Sequence, residues 1–272
     1  MARSVARYAV IGHPVAHSLS PQIHTEFARL TEQTMRYVRI EAPPHGFVAA
    51  LRRFLAAGGR GANVTLPFKE EAFELCHEST ERARQARAVN TLSVQAGGML
   101  LGDNTDGAGL VVDLRHNHQV VLEGARILLL GAGGAARGVL PALLAEKPAL
   151  VRIANRTPER ARSLAARHDY ARVVGGSFED VGRLSFDLVI NATAASLAGE
   201  LPPLSADCLN PGAVCYDLVY SDRPTVFMQW AERAGAAQVL DGWGMLVEQA
   251  AESFHLWHGL RPPTAILLAA HP

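Results

Sequence analysis

Short runs of apolar residues, each about a strand long, alternate along the chain with longer stretches whose apolar positions recur at helical spacing. The run YAVIG at 8–12 predicts a buried strand ending in a glycine turn. Residues 21–30 predict a helix, with Ser20 as N-cap and Pro21 at the first helical position, where its missing N–H does no harm. Residues 37–40 predict a strand, and 47–57 an amphipathic helix closed by Gly58 and Gly59. Residues 61–66 predict a further strand, followed by a helix opening at Pro67. The turn-rich GDNTDG at 102–107 is the strongest break, and an amphipathic helix follows it.

A second series then begins. RILLLG at 126–131 predicts a buried strand, 131–137 a glycine turn and 138–145 a helix, which Pro141 should kink unless it lies near the start. Strands are predicted at 151–155, 187–191, 214–218 and 238–240, with a helix at 158–167. Apolar helical segments at 245–258 and 263–270 end the series; such a pair needs a surface to bury against, which the first domain should supply. The alternation predicts the α/β class with parallel strands. One α/β domain spans 1–106, with 241–272 returning to it, and a second spans 107–240.

Composition narrows the function classes. The 272 residues carry 26 Lys and Arg against 26 Asp and Glu, so no broad electrostatic attraction to nucleic acid or anionic membrane is expected. No apolar run approaches the roughly 18 residues of a spanning helix, and the first 14 residues hold too short an apolar core for a signal peptide. Cys76, Cys208 and Cys215 are widely spaced and outside any CxxC, which fits neither a disulfide scaffold nor a zinc ribbon. The histidines form pairs such as His13/His17, His116/His118 and His255/His258 without HExxH, so no metal is expected. The cytosol is the expected compartment, and the glycosylation patterns at Asn63, Asn155 and Asn191 are set aside accordingly. Monomer and homodimer both stay open.

The glycine turn carries the first chemistry. Gly131-Ala132-Gly133-Gly134-Ala135-Ala136 follows a strand and opens a helix, the context of a dinucleotide fingerprint. Gly131 makes the tight turn, Gly133 admits a pyrophosphate to the backbone, and Ala136 takes the third small position. An NAD site would carry an acid about 20 residues on, for the ribose 2′-hydroxyl. Here Asn155-Arg156-Thr157 stands there, with Arg160 one turn onward. Arg156 offers a donor fork for a phosphomonoester, which selects NADP.

The first domain offers a polar constellation. His17-Ser18-Leu19-Ser20-Pro21 puts two hydroxyls before a helix, suited to capping and also to a carboxylate ligand. In NVTLPFK at 63–69, Glu70 and Glu71 suit the start of the next helix, whereas Lys69 does not; a cation there should lose its proton more readily, as an acid/base lysine must. Asp106 is a turn or capping residue that could also orient Lys69 across a domain cleft. Asn90, in AVNT, is either a structural amide or a holder of a substrate hydroxyl.

Taken in order, HSLSP, NVTLPFK, AVNT, GDNTDG, GAGGAAR, NRT, NAT, YDLVY and DGWGMLVEQA resemble the shikimate dehydrogenase family over residues 12–249. The resemblance implies an N-terminal substrate domain, a doubly wound Rossmann domain, and interconversion of 3-dehydroshikimate and shikimate with NADP, on the route to chorismate and the aromatic amino acids. It implies that Ser18 and Ser20 hold the substrate carboxylate. Thr65, Asn90, Asp106, Tyr220 and Gln249 would contact the ring hydroxyls, with Lys69 as acid/base paired to Asp106. Gly131, Ala132, Gly133, Gly134 and Ala135 would cradle the pyrophosphate. Asn155, Arg156, Thr157 and Arg160 would surround the 2′-phosphate, and Leu218 and Gly242 would border the nicotinamide.

Three stretches depart from the family pattern: Thr25 replaces an Asn, NATAASL at 191–197 lacks the usual Ser and Gly-Met, and SDRPT at 221–225 is altered. Two rival readings are an NAD-dependent quinate/shikimate dehydrogenase and a non-catalytic NADP-binding regulator. Asn155 with both serines speaks against the first, and retention of Lys69 with Asp106 against the second.

Overall fold

The computed structural model describes residues 5–168, 172–182, 184–196 and 199–270. The chain forms two compact units, residues 5–109 with 246–270, and residues 110–245. The terminal helical segment is thus part of the first unit.

In the first unit the elements run β1 (Ala6–Gly12), α1 (Ser20–Leu30), β2 (Met35–Glu41), α2 (Phe47–Ala56), β3 (Gly59–Val64), α3 (Lys69–Leu75), β4 (Glu78–Ser79), α4 (Glu81–Ala86), β5 (Thr91–Val94), β6 (Leu100–Asp103) and the first residues of α5 (Asp106–Val112), which runs on into the second. The strands form one sheet in the order β2-β1-β3-β5-β6-β4. The expected all-parallel layer needs correction: β3 pairs β5 antiparallel and β5 pairs β6 antiparallel. A tight connection at 95–99 returns β6 beside β5, as antiparallel neighbours allow. The α2 helix buries Phe47, Ala50, Leu51 and Phe54, the i, i+3, i+4, i+7 spacing of one helical face; each large side chain so buried contributes about 1.5–3 kcal/mol.

Two helix starts also differ from expectation. Ser20 is the first residue of α1, not its cap; Leu19 holds the cap position without a side-chain bond. Instead the Ser20 N–H donates to Ser18 Oγ at 3.3 Å, so Ser18 satisfies one of the amides that a helix start leaves free. Pro67 follows a cis peptide bond and precedes α3, which begins at Lys69.

The second unit runs β7 (Arg126–Leu130), α6 (Gly134–Ala145), β8 (Leu150–Ala154), α7 (Pro158–Ala165), β9 (Val173–Gly176), β10 (Phe186–Asn191), β11 (Leu209–Asp217), α8 (Val226–Arg233) and β12 (Gln238–Leu240). The sheet order is β12-β11-β10-β7-β8-β9, with every pairing parallel. This is a doubly wound sheet whose order reverses between β7 and β10, the position where such sheets open a ligand crevice at their carboxyl ends. Ile127, Leu128, Leu129 and Leu130 of β7 are fully buried, as a strand covered by helices on both faces must be. The glycine turn is shorter than expected: α6 starts at Gly134, so Pro141 lies inside the helix.

The chain ends with α9 (Trp243–His258) and α10 (Ala265–Ala269). Val247, Ala250, Ala251 and Phe254 of α9 are buried at helical spacing in the first unit. Among the described residues, no helix is long and apolar enough to cross a membrane.

Candidate active site

Lys69 Nζ donates to Asp106 Oδ2 at 2.5 Å, with side chains 13% and 6% exposed. Both residues belong to the first unit, so the pair does not bridge two domains as the sequence suggested. Lys69 opens α3 and Asp106 opens α5. The carboxylate therefore answers a positive charge that the α3 start disfavours.

Asn90 fixes the other carboxylate oxygen. Its Nδ2 lies 2.8 Å from Asp106 Oδ1, 2.9 Å from Thr105 Oγ1 and 3.2 Å from Gln249 Oε1. Its Oδ1 accepts from the Thr105 N–H and the Thr91 hydroxyl, both at 2.9 Å. With both ends of the amide engaged, Asn90 cannot flip without losing bonds. Asp106, held at both oxygens, in turn fixes the Lys69 ammonium.

The network runs on through residues the sequence reading did not single out. Ser253 Oγ on α9 lies 2.8 Å from Thr91 Oγ1 and accepts from Asn63 Nδ2 at 3.0 Å. Tyr37 donates its phenolic hydrogen to Asn63 Oδ1 at 2.7 Å, and burial pushes its pKa well above the ordinary value. Asn63 and Thr105 sit inside the quoted motifs NVTLPFK and GDNTDG, which was the available signal; Ser253 and Tyr37 had none. Buried hydroxyls and amides must find partners, and here they find one another.

A second layer holds the turn that carries Asp106. Arg82 forks onto Asp103, with Nε to Oδ1 and Nη2 to Oδ2 both 2.6 Å. Arg82 also reaches Glu252 of α9 at 3.0 Å. The Asn104 side chain accepts the Asp106 N–H at 3.1 Å.

Ser18 and Ser20 are buried, with Ser18 Oγ donating to Ser20 Oγ at 3.2 Å. Thr65 is half-buried beyond β3, and a side chain at Gly12 would run into its methyl group. Thr25 back-bonds to Pro21 O at 2.6 Å on the exposed side of α1, so this departure leaves the serine pair untouched.

In the second unit the glycine turn fits a dinucleotide. Gly131 has φ +103°, and a Cβ there would sit 3.0 Å from Ala192 O. At Gly133 a Cβ would meet nothing within 4 Å, so the space over the turn is open. The α6 helix has no side-chain cap; the first-turn amides, including those of Gly134 and Ala135, stay available for phosphate oxygens. Beyond β8, one Asn155 amide hydrogen is committed to Thr157 O at 2.9 Å. Arg156, Thr157 and Arg160 are exposed, and among the described residues neither guanidinium makes an ion pair.

The loop after β10 is anchored in an unexpected way. Asp217 is fully buried and accepts from Ser196 Oγ and Thr225 Oγ1, both at 2.7 Å, from Asn191 Nδ2 at 3.2 Å and from the Val219 N–H at 3.1 Å. Burial raises its pKa, and these donors work against the rise. Ser196 and Thr225 both come from the departing stretches NATAASL and SDRPT; Leu197 lies outside the described residues. Gly242 abuts the Leu218 carbonyl so closely that any side chain would collide with it. Tyr220, half-buried, also belongs to this unit. Among the described residues, no group of three or more His, Cys, Asp or Glu is placed to hold a metal.

Three family models match in order. The shikimate dehydrogenase substrate binding domain covers residues 10–92, shikimate/quinate 5-dehydrogenase 114–198, and the shikimate 5′-dehydrogenase C-terminal domain 242–270. The chain belongs to the shikimate dehydrogenase family. A family member from Alkalilimnicola ehrlichii, named shikimate dehydrogenase (NADP(+)), is 54% identical over 97% of each chain. The crystal structure of an Ael1 enzyme from Pseudomonas putida matches with a TM-score of 0.90 and 43% identity over 98% of each chain. A shikimate 5-dehydrogenase from Thermus thermophilus, in complex with NADP(H) and shikimate, matches with a TM-score of 0.86 and 34% identity over 98% of each chain.

Proposed function

We propose that the protein interconverts 3-dehydroshikimate and shikimate with NADP as its redox partner. The observation that carries this reading is the Lys69–Asp106 pair at 2.5 Å, set in a family whose NADP-dependent relatives are 54% identical. In the reducing direction the Lys69 ammonium gives a proton to the C3 oxygen as negative charge develops on it. In the oxidising direction neutral Lys69 takes the hydroxyl proton. The Asp106 carboxylate holds Lys69 in place, and Asn90 keeps Asp106 from turning. NADPH, when bound, supplies the hydride that the carbonyl carbon receives.

Ser18 and Ser20 hold the substrate carboxylate, and Thr65, Asn90, Tyr220 and Gln249 contact its hydroxyls. The turn from Gly131 to Ala135 takes the pyrophosphate, Arg156 and Arg160 with Asn155 and Thr157 take the 2′-phosphate, and Leu218 and Gly242 border the nicotinamide. The enzyme serves the shikimate pathway to chorismate in the cytosol. A spectrophotometric assay of NADP and NAD reduction, with shikimate and quinate side by side, tests the reading. Turnover should be fastest with NADP and shikimate; turnover faster with NAD and quinate would replace it with the quinate enzyme, and none with any pair would replace it with a binding protein.

A further inference from the structure

Tyr37, Arg39 and Glu41 alternate along β2 and so project from one face of the strand. All three engage the segment leading into α1. Tyr37 is buried with the Ser20 hydroxyl against it. Glu41 accepts the Val15 N–H at 2.9 Å and pairs with His13 Nδ1 at 2.7 Å. Arg39 forks onto one atom, the Ser18 carbonyl oxygen, with Nε at 2.8 Å and Nη2 at 2.5 Å, and its Nη2 also donates to Gln22 Oε1 at 2.9 Å.

From this arrangement we infer that Arg39 is the countercharge and positioning residue for the substrate carboxylate, an inference that rests on the proposed anchoring by Ser18 and Ser20. Two hydroxyls supply hydrogen bonds but no charge, and the α1 start contributes at most about half a charge. A cation close by adds a charge attraction for a full anion that neither of these supplies. The Arg39 guanidinium is a cation that sits on the backbone of the residue whose hydroxyl grips the ligand. It acts through that residue and through space, without touching the ligand.

The opposing charge on the same face is Glu41, whose two oxygens are taken by Val15 and His13. Lys69 and Asp106 cancel each other. A unit charge about 7 Å away, through an effective dielectric of about 40, changes an equilibrium constant about five- to tenfold. The exposed position of Arg39 makes the effect sensitive to salt.

The test compares Arg39→Gln, which keeps a donor for the Ser18 carbonyl but not the charge, with Arg39→Lys, which keeps the charge. At low salt Arg39→Gln should raise the KM for shikimate about five- to tenfold, with kcat and the KM for NADP within twofold of wild type. The rise should shrink toward twofold at high salt. It should vanish when the methyl ester of shikimate replaces the acid, and Arg39→Lys should stay within about threefold of wild type. An unchanged KM in Arg39→Gln, or an equal salt-independent loss in both variants, overturns the inference. Ser20→Ala, run in parallel, separates it from the reading beneath. If Ser20→Ala raises the KM and Arg39→Gln does not, the countercharge falls and the anchor stands. If neither variant raises it, the anchor falls and takes the countercharge with it, and a rise in Arg39→Gln alone overturns the coupling of Arg39 to the serine pair.

Discussion

Replacing Lys69 with alanine should remove the proton donor while leaving the rest of the polar network assembled. Loss of a general acid/base lowers kcat by about 10²–10⁴-fold, equivalent to about 2.7–5.4 kcal/mol of transition-state stabilisation. The change also strips a cation from Asp106, whose side chain is 6% exposed and retains the Asn90 Nδ2 at 2.8 Å. Breaking a buried pair costs about 3–5 kcal/mol; one remaining donor and the partial exposure of Lys69 bring the stability loss here to about 2–3 kcal/mol. Lys69→Met keeps the stem and should match the alanine variant in kcat, which ties the kinetic loss to the ammonium. Asp106→Asn preserves the shape and the bond to Asn90 but not the charge, so it too should lower kcat. Initial rates of NADPH-linked turnover, with thermal melts of each variant, separate chemistry from folding. Because both residues act as one unit, Lys69→Ala/Asp106→Asn should be little slower than Lys69→Ala alone. Fully additive losses would make the two roles independent, and near-wild-type kcat in Lys69→Ala would refute the mechanism.

Three further outcomes follow from particular contacts. Arg156→Ala should weaken NADP by about 1.5–3 kcal/mol, as for a charged hydrogen bond, while leaving NAD nearly unchanged in the same titration; equal losses with both would remove the phosphate contact. His24 is fully buried against Tyr37, with ring centroids 4.4 Å apart, and desolvation brings its pKa down to about 3. The unfolded chain takes up this proton near pH 6.5, so stability is fully present above that value and falls by about 1.4 kcal/mol per pH unit toward pH 3. Urea titrations of His24→Phe should show a slope shallower by one proton across this window, and an unchanged slope would exclude His24 as the acid-sensitive group. At Gly109 a Cβ would lie 2.6 Å from the Gln249 backbone nitrogen; Gly109→Ala should cost about 1–3 kcal/mol by overpacking and raise the KM for shikimate, and a melting temperature and KM equal to wild type would refute that close approach.

The parts of the protein legible along the chain were those whose chemistry is local. A buried apolar run, a glycine that takes φ +103° and an uncapped helix start lie within a dozen residues, so the dinucleotide turn at Gly131 could be read directly. The absence of an acid at Asn155 was equally plain, because the second strand ends at a fixed distance from the first. Short strands were not. β4, β5 and β6 span two to four residues each, too few for periodicity to register, and β5, antiparallel to both its neighbours, is the strand that makes the first sheet mixed. Local capping preference also chose the wrong serine: Ser20 had the right residue type, but the fold engages the Ser18 hydroxyl with the Ser20 amide.

What the sequence determined by itself was the set of chemical groups and the elements that carry them. The tertiary structure decided who meets whom. Lys69 finds Asp106 across 37 residues, and Asn90 finds Gln249 across 159, because β5 returns antiparallel beside β3 and α9 packs its buried face into the first unit. No local pattern encodes such pairs; each is fixed by strand register, by the helix face that burial selects, and by the demand that every polar group taken out of water be given a partner.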